Sequence, residues 1–322
     1  MPLIYESGYS KRPFYLFNSY LETLYPYFTT KVCQVAYTRE RLELPDGDFV
    51  DLDWVQNEGD RLVIISHGFE GNSKDHFIEK VAASLARQGY SILVWHYRSC
   101  SGELNRLPRL YHHGDTGDLG TVINHAVSMN RFNAIHLAGF SMGGNLVINY
   151  LGSSFTKQVA TAVVFSTAMD LDKANDRLSS GFNRLIQKQF FKKFKQKVAR
   201  KQRQFPDKID RKVLEQTTNL VALFEEVVVP LHGFSSMTDY FTKWSSLQYL
   251  QSVQIPLLIV NAKNDPLLSP ACYPYDQCEA STNVFLETPR YGGHVGFTWK
   301  DQDELWYVKR IAEFFSKRSL DQ

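Results

Sequence analysis

From residue 61 onward, short and almost wholly apolar runs alternate with stretches where apolar residues recur every three or four positions. Leu62-Val-Ile-Ile-Ser66 has the composition of a buried strand. Phe77, Ile78, Val81, Ala82 and Leu85 follow at helical spacing, and Gly89 suits the end of that helix. Residues 91–97 form the next apolar run. A helix is expected over about 115–128, with Asp115 and Asp118 in its first turn, where carboxylates favour the positive end of the helix dipole. Ile135, Leu137 and Ala138 then predict a strand, and Leu146, Val147, Tyr150 and Leu151 a helix with Gly152 as its C-terminal cap. Residues 159–165 give one more strand. Such alternation predicts an α/β protein with a mainly parallel, doubly wound sheet.

Two segments depart from this rhythm. Upstream, β-like runs at about 32–44 and 49–54 flank Pro45-Asp46-Gly47-Asp48, which is turn chemistry for a hairpin joining the sheet edge in antiparallel fashion. Residues 12–30 are crowded with aromatics (Phe14, Tyr15, Phe17, Tyr20, Tyr25, Tyr27, Phe28), expected to staple an N-terminal arm to the core. Downstream, the alternation stops near Asp170 and resumes at Pro256-Leu-Leu-Ile-Val-Asn261. A gap of about eighty residues is too long for a plain loop and must carry its own structure. Ile186, Phe190, Phe194 and Val198 at helical spacing predict a helical cap there. The chain thus divides into an arm and hairpin (1–60), a core (61–170 with 247–322) and an inserted cap or lid (171–246). A strand over 283–287 and a helix over about 302–317 complete the core. Asp301, Asp303 and Glu304 lie at the start of that helix, with Lys317 and Arg318 at its end.

Composition narrows the class. The 322 residues suffice for one large core, and a formal charge of +2 is too mild to imply nucleic acid as a partner. The four cysteines (Cys33, Cys100, Cys272, Cys278) have no C-x-x-C spacing, so neither a zinc site nor a disulfide framework is implied, and a reducing, cytoplasmic location is expected. No signal-peptide pattern and no run of eighteen apolar residues occurs. Charge is uneven in one place: nine Lys or Arg and no acid lie between Arg184 and Arg203. A basic amphipathic helix of this kind suits an anionic membrane surface or a lid over a pocket. The plainer reading is a cap helix with a solvated basic face.

The chemistry centres on Gly139-Phe-Ser141-Met-Gly143. Between a strand and a helix, G-x-S-x-G is a nucleophile elbow: a sharp turn that exposes the serine and needs small residues two positions either side. A phosphate-cradling loop would need G-x-G-x-x-G or G-K-[ST], and neither is present, so no cofactor is implied. A serine hydroxyl needs a base to take its proton and an acid to orient that base. Asp265 and His294 follow strands 256–261 and 283–287, in the chain order Ser, acid, His. Asp170 or Asp172, after the preceding strand, is an alternative acid. Backbone N–H groups of Met142 and of Phe69, in the loop His67-Gly68-Phe69-Glu70-Gly71, are the candidate oxyanion donors. His67 is read as orienting that loop rather than as a second base. Phe69, standing where a glycine would leave more room, disfavours bulky tertiary esters.

The set describes an α/β-hydrolase, and further motifs narrow it. His96-Tyr-Arg-Ser-Cys-Ser-Gly-Glu103, Asn105-Arg-Leu-Pro108, Tyr111-His112, Asp46-Gly47-Asp48, Pro230-Leu-His-Gly-Phe234 and Gly292-Gly-His-Val-Gly-Phe297 resemble the signature of the YheT-like α/β-hydrolases. That family includes soluble bacterial members, yeast medium-chain ethyl ester synthase/esterases and membrane-anchored animal lipases. The resemblance runs from roughly residue 13 to 316. It implies a serine hydrolase with a cap, cleaving carboxylic esters, with Ser141, Asp265 and His294 as triad. Ser99 stands where the family usually has glycine, and the animal members' N-terminal anchor has no counterpart, so their membrane location does not carry over. Short- to medium-chain acyl esters are the expected substrates. Acyl transfer to an alcohol and lipid-surface lipolysis are the rival readings.

Overall fold

The computed structural model describes residues 2–29, 34–153, 158–299 and 306–319. Cys33, the first residues of the run from 32, and the acidic group Asp301, Asp303 and Glu304 therefore lie outside the described residues, as do the side chains of Tyr27 and Arg318.

The strands are β1 (Leu3–Ile4), β2 (Thr38–Glu43), β3 (Phe49–Val55), β4 (Arg61–Ser66), β5 (Ser91–Trp95), β6 (Ala134–Phe140), β7 (Val159–Phe165), β8 (Leu257–Val260) and β9 (Val284–Glu287). They form one sheet in the order β1-β9-β8-β7-β6-β4-β5-β3-β2. Neighbours from β1 to β5 run parallel, whereas β3 is antiparallel to both β5 and β2. The alternation of apolar runs thus produced the doubly wound sheet it implies, with the hairpin on one edge.

Side chains on successive strand residues point to opposite faces, so each buried strand feeds two cores. Leu62, Ile64, Leu93, Trp95 and Leu137 pack on one face with α3 (Thr116–Ser128) and α4 (Met142–Ser153). Val63, Ile65, Ile92, Val94 and Phe140 pack on the other with α2 (His76–Arg87) and the C-terminal helix Trp306–Ser319. Gly89 ends α2 as expected: its φ is +87°, in the left-handed region, and the N–H groups of Gly89 and Tyr90 return to Ala86 O and Leu85 O.

One local expectation needs correction, and one gains a second partner. Gly152 is not a cap, because α4 continues through it to Ser153. It is small because Tyr249 presses on the helix: a Cβ at Gly152 would stand 2.5 Å from Tyr249 Cβ. Asp115 and Asp118 do lie at the start of α3, but their carboxylates are committed to arginines. Asp115 bonds Arg109 at 2.5 Å, and Asp118 takes both Nε and Nη2 of Arg98 at 2.7 Å.

Between β7 and β8 the chain is helical. Here α5 (Leu171–Leu178) and α6 (Asn183–Gln204) precede a series of short helices ending with the turn Ser246–Ser252. Phe194 and Val198 of α6 are buried in the first core, as their spacing predicts. Another helix, α1 (Ser19–Thr29), lies in the N-terminal arm. There the aromatic-staple reading fails in its main respect, since Phe14, Phe17 and Phe28 are 82%, 68% and 76% exposed.

Candidate active site

Strand order reverses at β4, whose neighbours β5 and β6 lie on opposite sides, and in open α/β sheets such a switch point opens a crevice at the strand ends. The chain leaves β6 there through the elbow. Ser141 adopts φ +55°, the left-handed region that L residues seldom occupy. Neighbouring backbone holds it: Ser141 N–H donates to Phe165 O at 2.9 Å, and Gly144 N–H donates to Ser141 O at 3.0 Å. The glycines have the steric role the motif requires. A Cβ on Gly139 would lie 2.7 Å from Gly143 O, and one on Gly143 would lie 2.2 Å from Ser66 O.

His294 reaches this serine from the loop after β9. Its Nε2 lies 2.9 Å from Ser141 Oγ, and its Nδ1 lies 2.9 Å from Asp265 Oδ2. An ionised carboxylate only accepts, so the proton sits on Nδ1 and leaves the Nε2 lone pair facing the serine hydroxyl. Asp265 is buried and also accepts the Leu267 N–H at 2.9 Å, which fixes its second oxygen. The alternative acids are engaged elsewhere: Asp170 caps α5 through Lys173 N–H, and Asp172 pairs with Lys173 Nζ at 3.1 Å.

The loop after β4 brings Phe69 alongside, with Gly68 placed so that a Cβ would touch Ser141 Cβ at 3.6 Å. Among the described residues, no protein acceptor bonds the backbone N–H of Phe69 or of Met142. Glu70, at φ +56°, is locked next to them. Its N–H donates to Tyr111 Oη at 2.9 Å, and its carboxylate accepts from Tyr111 Oη at 2.8 Å and from Lys197 Nζ at 2.5 Å. Burial alone would lower the Lys197 pKa, but Cys100 and Glu70 beside it raise it, so Lys197 keeps its charge. His67 donates from Nδ1 to Gly68 O at 2.8 Å, and burial, with His96 adding to it, drives its pKa down to about 3. It is neutral at pH 7 and orients the loop.

The Phe69 ring sits among Phe190, Phe194, Phe224 and Tyr111, with ring centroids 5.1 to 6.1 Å away. The basic helix is therefore not uniformly solvated. Lys197 and Lys201 are turned inward, Lys201 donating to the carbonyls of Asn105 and Leu107, and Lys195 bonds Thr217 O at 2.7 Å.

The signature residues of the resemblance form a brace rather than a second site. Arg98 bonds Asp118, Asp48 and Asp46, and Asp48 also accepts from Asn105 Nδ2 and Arg106 N–H. Asp53 accepts from Arg39, His96 and Ser73; burial would raise its pKa, but these bonds overrule it and hold the carboxyl far below its usual range. Ser99 stands at φ +65°, which accounts for a glycine preference at this position, and its Oγ donates to Asn105 Oδ1 at 2.5 Å. Cys100 is buried, and burial pushes its thiol up to about 12, which makes it a poor nucleophile. Among the described residues no His, Cys, Asp or Glu cluster is arranged to hold a metal, and no helix is long and apolar enough to cross a membrane.

Other residues that hold the site were not candidates in the sequence. Glu22 and Thr23 of α1, Asn264 and Ser166 all bond the backbone of the His294 loop. Asn264 lies in the Asn261-Ala-Lys-Asn-Asp265-Pro266 segment that matches the family, whereas Glu22, Thr23 and Ser166 belong to no motif with a recognisable spacing, and the first two lie about 270 positions from their partners.

Comparison with known proteins agrees with this geometry. Residues 61–301 match the family described as alpha/beta hydrolase fold. YheT of Escherichia coli, named as a candidate esterase, is 28% identical over 309 residues, covering 93% of this chain and 90% of its own. The mouse phospholipase ABHD3 is 28% identical, covering 93% and 76%, and the bovine monoacylglycerol lipase ABHD2 is 25% identical, covering 81% and 68%. Among solved structures, the Pyrococcus furiosus esterase Pf2001 superposes with a TM-score of 0.58 at 18% identity, covering 88% of this chain and 92% of that one, which shows the shared fold. The chain belongs to the α/β-hydrolase family and, within it, to the YheT-like hydrolases of esterase type.

Proposed function

We propose that the chain is a serine esterase acting on short- to medium-chain acyl esters through an acyl-enzyme. The observation that carries this reading is the relay of 2.9 Å from Ser141 Oγ to His294 Nε2 and 2.9 Å from His294 Nδ1 to Asp265 Oδ2. His294 takes the hydroxyl proton as Ser141 Oγ attacks the ester carbonyl. Asp265 holds the Nδ1–H tautomer and stabilises the imidazolium. The N–H groups of Phe69 and Met142 donate to the oxyanion, where each such donor is worth about 3 kcal/mol of transition-state stabilisation. As the tetrahedral intermediate collapses, the alkoxide leaves with the proton from His294. Water then repeats the sequence on the acyl-enzyme and releases the acid.

The acyl chain is assigned to the aromatic surroundings of Phe69, with the helices between β7 and β8 as cap. Phe190, Phe194 and Phe224 come from that insertion, so the cap sets the acyl length. The test is a p-nitrophenyl ester series of increasing chain length, in which Ser141→Ala loses about 10⁴-fold or more in kcat. Wild-type turnover no better than that of the variant overturns the reading.

A second reading, in which the ester is drawn from an anionic lipid surface, is favoured by one feature. Exposed Phe14, Phe17 and Phe28 of the arm and exposed Phe182 and Leu185 at the start of α6 cluster on two segments, which meet where the Tyr20 and Phe182 rings lie 4.7 Å apart. Aromatics beside the exposed cations Arg184 and Lys188 suit a membrane interface. Phospholipase and monoacylglycerol lipase relatives are compatible with such a substrate. Phosphatidylcholine vesicles containing phosphatidylglycerol are expected to co-sediment the protein at low salt and release it at high salt. No binding, or binding indifferent to salt, removes this reading.

A further inference from the structure

The loop that carries His294 has no regular structure to fix it. Gly292, Gly293, Val295 and Phe297 all have positive φ, at 142°, 55°, 56° and 37°. For the β-branched Val295 this backbone region is strained, and it persists only where the surroundings over-determine it. Four consecutive N–H groups show how that is done. Gly292 donates to Glu22 Oε2 at 2.6 Å, Gly293 to Asn264 Oδ1 at 3.1 Å, His294 to Thr23 Oγ1 at 2.9 Å and Val295 to Ser166 Oγ at 2.9 Å. Each acceptor is a side chain, and two of the four come from α1.

Glu22 does more than hold one amide. Its carboxylate is buried and also accepts from Asn264 Nδ2 at 2.8 Å and from Arg12 Nη1 at 2.5 Å. Asn264 precedes Asp265, so Glu22 joins the segment bearing the acid to the loop bearing the base. The glycines of the loop have a steric counterpart in the same helix. A Cβ on Gly293 would lie 2.8 Å from Thr23 Oγ1, and one on Gly296 would lie 2.2 Å from Glu22 O. Thr23 is itself oriented, its hydroxyl hydrogen going to Ser19 O at 2.7 Å, which leaves the oxygen lone pairs for the His294 N–H.

We infer that Glu22 and Thr23 are positioning residues for the base: α1 clamps the loop so that the His294 imidazole meets both Ser141 and Asp265. The inference rests on the esterase reading for its kinetic consequence and on the hydrogen bonds alone for its structural one. Misplacing a reacting group by about 1 Å costs up to about a hundredfold in rate without weakening substrate binding.

The experiment compares Thr23→Val, which keeps the shape and removes the acceptor, with Thr23→Ser, which restores it. Each is assayed for kcat and KM on a soluble p-nitrophenyl ester and for hydrogen exchange across the peptide spanning residues 288–298. Thr23→Val is expected to lower kcat about tenfold or more with KM changed less than about twofold, and to speed exchange in that peptide, while Thr23→Ser stays within about threefold of wild type. Glu22→Gln, which keeps an acceptor for Gly292 but turns an amide N–H₂ toward Asn264 or Arg12, is expected to fall between them and serves if Thr23→Val does not fold. Wild-type kcat and exchange in Thr23→Val, or in Glu22→Gln where that variant stands in, overturn the inference. Equal losses in Thr23→Val and Thr23→Ser also overturn it. An inactive wild-type enzyme overturns the esterase reading instead, and the exchange pattern still decides the clamp.

Discussion

Ser141 and His294 meet at 2.9 Å but are held in place by opposite means. The elbow is built almost entirely from its own neighbourhood. Its strained Ser141 is kept by backbone hydrogen bonds, and the closeness of β6, α4 and the end of β4 is allowed by Gly139 and Gly143. The His294 loop is also strained, yet side chains from α1, the β7 end and the β8 end satisfy its amides. A tight turn between a strand and a helix can be specified locally. A long irregular loop must borrow partners, because buried N–H groups left unpaired are costly.

This difference predicts unequal responses to small changes. The largest effect belongs to Gly143→Ala. The added Cβ would stand 2.2 Å from Ser66 O and 2.5 Å from His67 O, both backbone atoms, so the end of β4, the elbow and the His67–Phe69 loop must separate. A loss of about 3 kcal/mol or more in stability is expected, with activity falling at least as far as in Ser141→Ala. Thermal melting alongside ester turnover checks it, and a soluble variant with half the wild-type rate breaks the claim that the elbow is sterically closed. A smaller effect is expected of Ser166→Ala, which leaves the Val295 N–H without its acceptor but adds no clash. Stability should fall by about 1–2 kcal/mol. A kcat drop of about tenfold with little change in KM is expected, as for loss of positioning at the base. If KM moves instead, Ser166 contacts substrate and the loop is less dependent on borrowed partners than the geometry implies.

The same contrast governs how much could be read from the chain. The elbow turn, and the placing of Asp265, His294 and the Phe69 loop near Ser141, were legible because each lies within a few residues of a strand whose apolar run announces it. Gly89 was legible as a helix end, because its left-handed φ is a local need. Gly152 was misread because its smallness answers to Tyr249, nearly a hundred residues away and on a different element. The carboxylates of Asp115 and Asp118 were read through the helix dipole, whereas the arginines beside them make stronger, directed bonds. The basic run of α6 gave the right helix, but charge alone does not reveal that Lys197 and Lys201 turn inward to hold the loops around the site.

The sequence by itself determined what depends on short-range covalent geometry and on the periodicity of apolar residues. These are the parallel sheet, the sharp turn at Ser141, the strand ends that carry Asp265 and His294, and the family that the motifs resemble. Tertiary structure alone decided what depends on side chains meeting across the fold. It brought Asp265 rather than Asp170 or Asp172 to His294, closed the aromatic wall around Phe69, and set Glu22 and Thr23 against a loop about 270 residues further along the chain. Hydrogen bonds of this kind carry no period and no fixed spacing, so they become visible only when the folded backbone has placed donor and acceptor together.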